Sequence, residues 1–473
     1  MVFSSITFLF YFLPVVLIAY ALVPERARNL LLVLASLTFY IWGSGWLVGT
    51  LLVSVVVDYL LGFQAQRAAD AGNARLAHRV IAASVVVNLS LLAWFKYAGW
   101  LIQGAADAGV YTGSVPDVVL PIGISFFTFQ SMSYTIDVAR GRCDHLRNPL
   151  DFALYVTLFP QLIAGPIVRY HEIAEQITGR VVSLDRAGEG ALRFSHGLAK
   201  KVIVADAVAP IATAAFEADP NGLTMAAAWV GVIAYTIQIY FDFSGYADMA
   251  IGLGLMFGFR FPENFNRPYS ALSITDFWRR WHITLSNWFR DYLYIPLGGG
   301  RGSALKVTRN LSVVFLLTGI WHGANWTFVV WGVYHGAWLL AERAMGWRHI
   351  EEDGALSSTF RRTRTLVAVM VGWVFFRAGS LSDALDYLAR LVSFDTAGSD
   401  VVDAAMTTRG GIVLALACLV FLFPRRFVAG PVLADGKGRP ASAFRVAVAV
   451  VALPVALLLA ASGAFSPFLY FAF

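Results

Sequence analysis

The stretch Asn310–Ala341 decides the fold, and it reads NLSVVFLLTGIWHGANWTFVVWGVYHGAWLLA. Its 32 residues include no Asp, Glu, Lys or Arg. An apolar run of this length belongs in a lipid bilayer or in a fully buried core. His322 lies inside it, where an imidazole is costly to bury unless a polar partner or a function retains it. Since histidine exchanges protons near neutral pH, His322 is a candidate general base. The alternative is a histidine that only hydrogen-bonds to a neighbouring helix.

The composition is that of a membrane protein with many spans. Of the 473 residues 58% are hydrophobic and only 14% are charged, whereas a soluble domain has about 25% charged residues. The net charge of +6 does not suggest nucleic acid, because excess Lys and Arg in such proteins usually marks cytoplasmic loops and anionic headgroups. Two cysteines, Cys143 and Cys418, are too few for a disulfide framework or a cysteine-rich metal site.

Charge-poor stretches predict an all-α polytopic membrane protein with a single domain over residues 1–473. Several stretches reach the length of about 20 residues that crosses a bilayer, and the shorter ones are expected to be re-entrant or tilted. Met1–Pro24 lacks the basic start of a cleaved signal peptide, so it predicts a retained first span. The stretches lie near residues 5–23, 29–42, 46–63, 80–102, 118–138, 150–166, 223–243, 245–259, 310–324, 326–341, 364–377, 410–427 and 443–463.

Arginine-bearing loops predict the orientation. Pro24–Asn29, Gln64–Arg79 and Ala139–Asn148 each carry two or three arginines. By the positive-inside rule these loops face the cytoplasm. The turn Gly43–Gly45 and the loop Gly104–Pro116 then face the outside, as does the amino terminus.

Residues 260–301 break the pattern, because they are too charged to span and are rich in aromatic side chains. Apolar residues at intervals of 3, 4, 3 and 4 predict one amphipathic helix whose stripe is Trp278, Trp281, Leu285, Trp288 and Tyr292. Ser273 or Thr275 can cap it, with Asp276 in the first turn. The block is predicted to lie at the membrane interface, with its arginines on phosphates. His282 lies off the stripe.

The histidines do not have the spacing of a metal site. Two ligands on one helix require a spacing of i, i+4, with three residues between them, whereas His322 and His335 are 13 residues apart. No carboxylate occurs in the apolar run and neither cysteine is near it. A nucleophile elbow, a Walker loop and a dinucleotide fingerprint are also missing from the sequence. One or two histidines acting as general base remain, so neither a metal nor a bound cofactor is expected.

Five motifs of the chain occur together in a known family. They are DFWRRWHITLSNWFRDYLYIPLGG at Asp276–Gly299, Trp321-His322-Gly323, FPQLIAGPI at Phe159–Ile167, DFSGYADM at Asp242–Met249 and NFNRPY at Asn264–Tyr269. The combination resembles the membrane-bound O-acyltransferase (MBOAT) family, and within it the bacterial branch with the alginate O-acetylation membrane subunit. The teichoic-acid D-alanyl transfer protein is a more distant relative. The likeness extends over nearly the whole chain.

The resemblance implies a helical bundle with a central tunnel and with re-entrant or interfacial helices. His322 would stand midway along the tunnel, with His282 as its partner, and would take a proton from an attacking hydroxyl. His282 would either orient this base or polarise the thioester carbonyl. Candidates for the CoA phosphates are Arg279, Arg280 and Arg290, with headgroup contact as the alternative. Candidates to line the tunnel are Trp321, Asn325 and Trp326.

The tail 464–473 suggests a further role. It ends in SPFLYFAF, the last part of an uncharged run of 28 residues that starts at Val446, and it is similar to the end of the small single-pass partner in the D-alanylation system. By this likeness Tyr470 would enter the outer mouth of the tunnel and accept the acyl group. The alternative is an aromatic belt at the outer interface. The tail is accordingly predicted to be extracytoplasmic.

The expected function is transfer of acetyl from cytoplasmic acetyl-CoA across the bacterial inner membrane, for O-acetylation of an extracytoplasmic polysaccharide. The resemblance implies a periplasmic SGNH-type acetyltransferase or modification complex as partner. Three alternatives stay open. One is another donor, either a D-alanyl carrier protein or a longer acyl-CoA. The others are a transporter, although the chain has no internal repeat, and a structural scaffold of a secretion complex.

Overall fold

The computed structural model describes residues 1–219, 222–347, 354–395, 399–419, 438–463 and 468–469. These residues form helices and turns, with no β-strand among them. Within the described ranges four helical stretches are long and apolar enough to cross a membrane: Glu25–Asp70, Ala74–Asp107, Met225–Met256 and Arg439–Ala461. The prediction of an all-α multi-pass membrane protein is therefore confirmed.

The chain divides into two compact units. The first comprises Met1–Phe194 and Met249–Pro262, and the second comprises Ser195–Asp248 and Glu263–Phe473. The first unit begins with a π-helical segment, Thr7–Phe12. Its α-helices are α1 Leu13–Leu22, α2 Glu25–Ser44, α3 Val48–Asp70, α4 Ala74–Asp107, α5 Ile124–Ala139, α6 Pro149–Thr157, α7 Phe159–Leu162, α8 Tyr170–Gly179 and most of α9 Leu184–Ala199.

A buried carboxylate joins three helices of the first unit. Asp58 of α3 accepts hydrogen bonds from Ser84 and Asn88 of α4 and from Thr135 of α5. All four side chains are fully buried. A charged group inside an apolar bundle is retained where several donors satisfy it, so this cluster fixes how the three helices pack.

The second unit carries the histidines. Its α-helices are α10 Asp206–Glu217, most of α11 Met225–Met256, α12 Ile274–Trp278, α13 Ile283–Phe289, α14 Ala304–His322, α15 Trp326–Ala344, α16 Ala355–Arg377, α17 Leu381–Arg390, α18 Asp400–Ala405, α19 Thr408–Cys418, α20 Arg439–Ala447 and α21 Leu453–Ala461. Segments of π-helix occur at Lys200–Ala205, Arg290–Tyr294 and Val448–Ala452.

Small residues bring α14 and α15 into backbone contact. A Cβ atom on Gly319 would lie 2.3 Å from the Phe328 carbonyl oxygen, and one on Gly332 would lie 2.4 Å from that of Phe315. Glycine pairs of this kind let membrane helices approach closely. The apolar run Asn310–Ala341 thus folds as a tight helical hairpin, and His322 ends its first helix.

The helix α11 corrects one prediction. Residues 223–243 and 245–259 were expected to be separate spans, with Ser244 between them and Gly245 at the start of the second. The structure has one continuous helix, Met225–Met256. A Cβ atom on Gly245 would lie 2.8 Å from the Gly197 carbonyl oxygen. This glycine therefore serves close packing inside a helix and makes no turn.

The predicted interfacial helix is also interrupted. Helix α12 ends at Trp278 and α13 starts at Ile283, with His282 between them in the left-handed region at φ 43° and ψ 53°. The apolar stripe was real, since Trp278, Trp281, Leu285, Trp288 and Tyr292 are all buried. Periodicity cannot reveal a single left-handed residue, so the break was not predictable from it. The predicted cap is confirmed, since the Ser273 hydroxyl accepts a hydrogen bond from the Asp276 amide.

Candidate active site

His322 is the last residue of α14 and is almost fully buried. Three aromatic rings enclose its imidazole: the ring centroids of Trp321, Trp331 and Phe376 lie 4.9, 4.9 and 5.1 Å away. The chain then turns extended at Gly323. A Cβ atom there would lie 2.2 Å from the Phe328 ring, so only glycine fits after His322.

His282 is held in a strained conformation at the start of α13. Its positive φ of 43° is uncommon for a residue other than glycine. Its ring is buried against Phe243, with the centroids 4.8 Å apart. Backbone strain of this kind persists only where the surroundings impose it, and it concentrates at functional sites. Burial lowers the pKa of His282 to about 3, so its imidazole is neutral near physiological pH.

Asn264 determines which nitrogen of His282 carries the proton. Asn264 Oδ1 lies 3.2 Å from His282 Nδ1 and also accepts hydrogen bonds from the Thr284 amide and hydroxyl. Because a backbone N–H can only donate, the Asn264 atom at this position is the oxygen. His282 Nδ1 must then donate to it, which leaves Nε2 as an acceptor in the neutral ring. Asn264 belongs to the NFNRPY motif, but its role was not evident from the sequence.

Trp321 brings the two histidines into one site. Its indole ring lies 4.9 Å from the His322 ring and 6.1 Å from the His282 ring, measured between centroids. Trp321 is itself buried. The sequence prediction paired His282 with His322, and the structure gathers both around one side chain.

His335 lies on α15, one helical turn after Trp331. Its ring contacts Trp331 and Trp278, with centroids 5.1 Å away in each case. Among the described residues neither of its nitrogens has a hydrogen-bond partner, and it is fully buried. The described part of the chain also holds no group of three or more His, Cys, Asp or Glu side chains that could bind a metal ion.

A cavity of about 300 Å³ lies beside the α14–α15 hairpin. Its lining residues come from α12, α13, α14, α15 and the π-helical segment Arg290–Tyr294. The walls are largely apolar and include Trp278, Phe315 and Thr318. Thr318 precedes His322 by four residues, or about 6 Å along the helix axis. His322 is not among the lining residues.

Three arginines line the cavity: Arg279, Arg290 and Arg343. Arg290 also pairs with Asp291, through contacts of 2.7 and 3.1 Å. The third predicted phosphate ligand, Arg280, is not among the lining residues and instead pairs with Asp276 at 2.8 Å. Sequence reasoning missed Arg343. It follows the charge-free run by two residues and shares a helix face with His335 and Leu339, a spacing that could have identified it.

The other predicted residues occupy different places. Asn325 caps α15, accepting a hydrogen bond from the Thr327 amide and donating one to the Gly379 carbonyl. Trp326 is 59% exposed, so most of its side chain lies on the surface of the unit. Tyr470 lies outside the described residues.

Glu342 fixes α12 against α15 and was not predicted. Its buried carboxylate accepts hydrogen bonds from the amides of Ile274 and Thr275, at 2.7 and 2.8 Å, and from the Thr275 hydroxyl. A carboxylate is favoured at a helix N-terminus, where amide groups lack partners in the helix. The segment that carries Trp278 and leads to His282 is thereby held against the hairpin that carries His322.

The sequence that forms this arrangement matches a known protein family. Residues 34–376, which include both histidines and Asn264, match the model of the membrane-bound O-acyltransferase family. The chain belongs to the MBOAT family. It is 45% identical to the probable alginate O-acetylase AlgI of Azotobacter vinelandii over the full length of both chains. It is 45% identical to the same protein of Pseudomonas aeruginosa, over 94% of this chain and 86% of the relative.

A third relative is named for a different polymer. The peptidoglycan O-acetyltransferase of Helicobacter pylori is 38% identical over 84% of this chain and 80% of the relative. The resemblance inferred from the motifs is confirmed, as is its branch. The protein is a membrane O-acyltransferase.

Proposed function

We propose that this acyltransferase takes acetyl from cytoplasmic acetyl-CoA and delivers it for O-acetylation of an extracytoplasmic polysaccharide, from a position in the bacterial inner membrane. A periplasmic acetyltransferase of the SGNH type would complete the delivery. Support for the polymer class comes from the relatives, whose names specify alginate and peptidoglycan. Alginate is the first polymer to test, because the more similar relatives bear that name.

The observation that carries the choice of donor is the arginine-lined cavity. Arg279, Arg290 and Arg343 line a space whose other walls are largely apolar and include Thr318. Guanidinium groups suit phosphate, and the apolar wall suits the pantetheine arm of CoA. A cavity with both properties, lined by a residue one helical turn before His322, supports acetyl-CoA as the donor.

The proposed chemistry is general-base catalysis by His322. The imidazole takes the proton of an attacking hydroxyl, and that oxygen bonds to the carbonyl carbon of the thioester. The carbon–sulfur bond then breaks, and CoA leaves as a thiolate that takes the proton back from the imidazolium. The acetyl group ends on oxygen, and no electron is gained or lost, so the step needs no oxidant or reductant.

His282 is assigned to orientation. To polarise the thioester carbonyl it would have to donate a hydrogen bond through Nε2. In the tautomer that Asn264 selects, Nε2 is an acceptor. An acceptor there can orient the attacking hydroxyl or hold the proton of a neighbouring donor. The polarising role is therefore disfavoured.

The first acceptor is proposed to be Tyr470 in the C-terminal tail. Its phenol would receive acetyl near His322 and pass it to the periplasmic partner. We call this two-step transfer the relay. Replacing Tyr470 with Phe keeps an aromatic side chain and removes the hydroxyl. Unchanged polysaccharide acetylation in this variant would exclude the relay and leave direct transfer to an external acceptor.

The donor is tested with purified protein in lipid nanodiscs. Labelled acetyl-CoA, palmitoyl-CoA and a D-alanyl carrier protein are supplied separately, and release of the thiol is followed. Turnover of acetyl-CoA alone supports the proposal. Turnover of either other donor in its place would overturn it, and transport of a solute without thiol release would indicate a transporter.

A further inference from the structure

A buried cluster of three charged side chains lies in the second unit. One of them, Asp242, begins the DFSGYADM motif, but the proposed chemistry does not use the cluster. Lys201 Nζ lies 2.8 Å from Asp206 Oδ1 and 2.6 Å from Asp242 Oδ1. The three side chains are at most 5% exposed. With both carboxylates ionised the cluster has one negative charge more than positive. Burying such a charge is costly unless further donors meet it.

The C-terminal segment supplies one of these donors. The backbone N–H of Leu469 donates to Asp242 Oδ2, with 2.9 Å between nitrogen and oxygen. The preceding residue, Phe468, is buried. Its ring lies 4.5 Å from the Tyr246 ring in an edge-to-face arrangement and 4.8 Å from Lys201 Nζ. Asp242 and Tyr246 are four residues apart on α11, so one helix face presents both contacts.

We propose that Lys201, Asp206 and Asp242 form a docking site for the C-terminal segment, which we call the tail anchor. The anchor binds Phe468 through its ring and Leu469 through its main chain. Because Tyr470 follows Leu469 directly, fixing the Leu469 amide restricts how far the Tyr470 hydroxyl can reach. Lys201 and Asp242 are thus positioning residues. The link to Tyr470 rests on the proposed function, whereas the docking itself does not.

The contacts define what the anchor recognises. Leu469 is half-buried, and its hydrogen bond to Asp242 is made by the main-chain amide, which every residue except proline possesses. Phe468 offers an apolar face to Tyr246 and a π-face to a cation, which favours an aromatic ring over an aliphatic side chain of similar size. The anchor therefore requires an aromatic residue followed by any residue other than proline.

Leu469→Pro is the variant that tests the anchor. Proline has no backbone N–H, so the substitution removes the hydrogen bond and leaves the charged cluster unchanged. Leu469→Ala is the matched control, since it shortens the side chain and keeps the amide. Docking is read by fluorine NMR of 4-fluorophenylalanine placed at position 468, in nanodiscs. A docked ring and a released ring give separate resonances.

Leu469→Pro should lower the ratio of docked to released tail by about tenfold or more, since it removes a hydrogen bond to a charged acceptor. Leu469→Ala should leave the ratio within about twofold of the parent, because the amide is retained. A fluorine resonance that stays docked in Leu469→Pro would overturn the proposal, whatever happens to acetylation. Loss of docking in both variants would also overturn it, because the side chain would then matter.

A second variant approaches the same contact from the helix. Asp242→Asn removes the charge of the acceptor, and Asp248→Asn is its matched control. Asp248 lies on the same helix and pairs with Lys200 at 2.6 Å. Only Asp242→Asn should release the tail, and adding Leu469→Pro to it should have less effect than in the parent. Equal release by the two Asn variants would indicate general loosening of α11 and contradict the anchor.

The anchor and the relay fail in different ways. If Tyr470→Phe acetylates normally while Leu469→Pro releases the tail, the relay is wrong and the anchor stands. If Leu469→Pro releases the tail and stops acetylation while Leu469→Ala does neither, both stand.

Discussion

The His282 imidazole donates a hydrogen bond through Nδ1 to Asn264 Oδ1, over 3.2 Å. The amide and hydroxyl of Thr284 occupy the same oxygen, so the direction of the bond is fixed. One asparagine therefore sets the tautomer of a buried histidine that shares Trp321 with the proposed base.

Replacing Asn264 should impair turnover more than binding. Asn264→Ala removes the acceptor that orients Nδ1–H, and we expect kcat to fall by about 10- to 100-fold with little change in KM for acetyl-CoA. Asn264→Asp keeps an oxygen acceptor and should recover most of the rate. Steady-state kinetics of the three proteins decide the matter. An equal loss in both variants, or a change in KM alone, would show that Asn264 acts only in folding.

Acid should destabilise the protein partly through His282. Burial holds its pKa at about 3, whereas the pKa in the unfolded chain is about 6.5. The unfolded state then binds the proton first, so this contribution to the free energy of unfolding is complete above about pH 6.5 and is lost as pH falls toward 3. Between about pH 6.5 and pH 5 the loss is about 2 kcal/mol.

His282→Gln removes the titrating group. Unfolding of both proteins in nanodiscs, followed over this pH range, should show a shallower loss of stability for the variant. Parallel curves would contradict neutral burial of His282.

The arginines that line the cavity should lower the KM of donors that carry phosphate and should not affect donors that lack it. Arg279→Ala and Arg343→Ala should each raise KM for acetyl-CoA by about tenfold, because each removes a charge-assisted hydrogen bond. S-acetylpantetheine carries no phosphate, so its KM should not change. Arg280→Ala should have a smaller effect, since Arg280 pairs with Asp276. The same increase in KM for both donors would place the arginines outside the donor site.

Replacing Glu342 should lower the free energy of unfolding by more than replacing its hydrogen-bond partner Thr275. Glu342→Gln keeps the shape but sets an amide against two backbone donors, and we expect a loss of about 1–3 kcal/mol in the free energy of unfolding. Thr275→Val removes only the hydroxyl contact and should cost less. The two variants are compared by denaturant unfolding in nanodiscs. An effect of Glu342→Gln no larger than that of Thr275→Val would mean that Glu342 does not hold α12.

The sequence predicted the fold class well, because local hydrophobicity and charge are enough to distinguish membrane spans from the loops between them. Long apolar runs and arginine-bearing loops depend on local residues alone. What it did not predict depends on single residues and their neighbours in space. Gly245 could mark a turn or a close contact, and only the packing against Gly197 distinguishes the two.

The site was predicted in part for the same reason. His322 was evident as a polar residue in an apolar run, and His282 through its motif. The partner of His282 at Asn264 and the support of α12 by Glu342 depend on contacts between distant segments. No periodicity encodes such contacts.

The central claim is that His322 removes a proton from the attacking hydroxyl. The most direct test is the rate of CoA release from acetyl-CoA by His322→Gln, in membrane vesicles that contain the polysaccharide acceptor. Glutamine keeps a polar side chain of similar volume, so protein level and thermal stability should match those of the parent. We expect the rate to fall by about 100-fold or more. A folded His322→Gln protein that releases CoA at the parent rate would contradict the account.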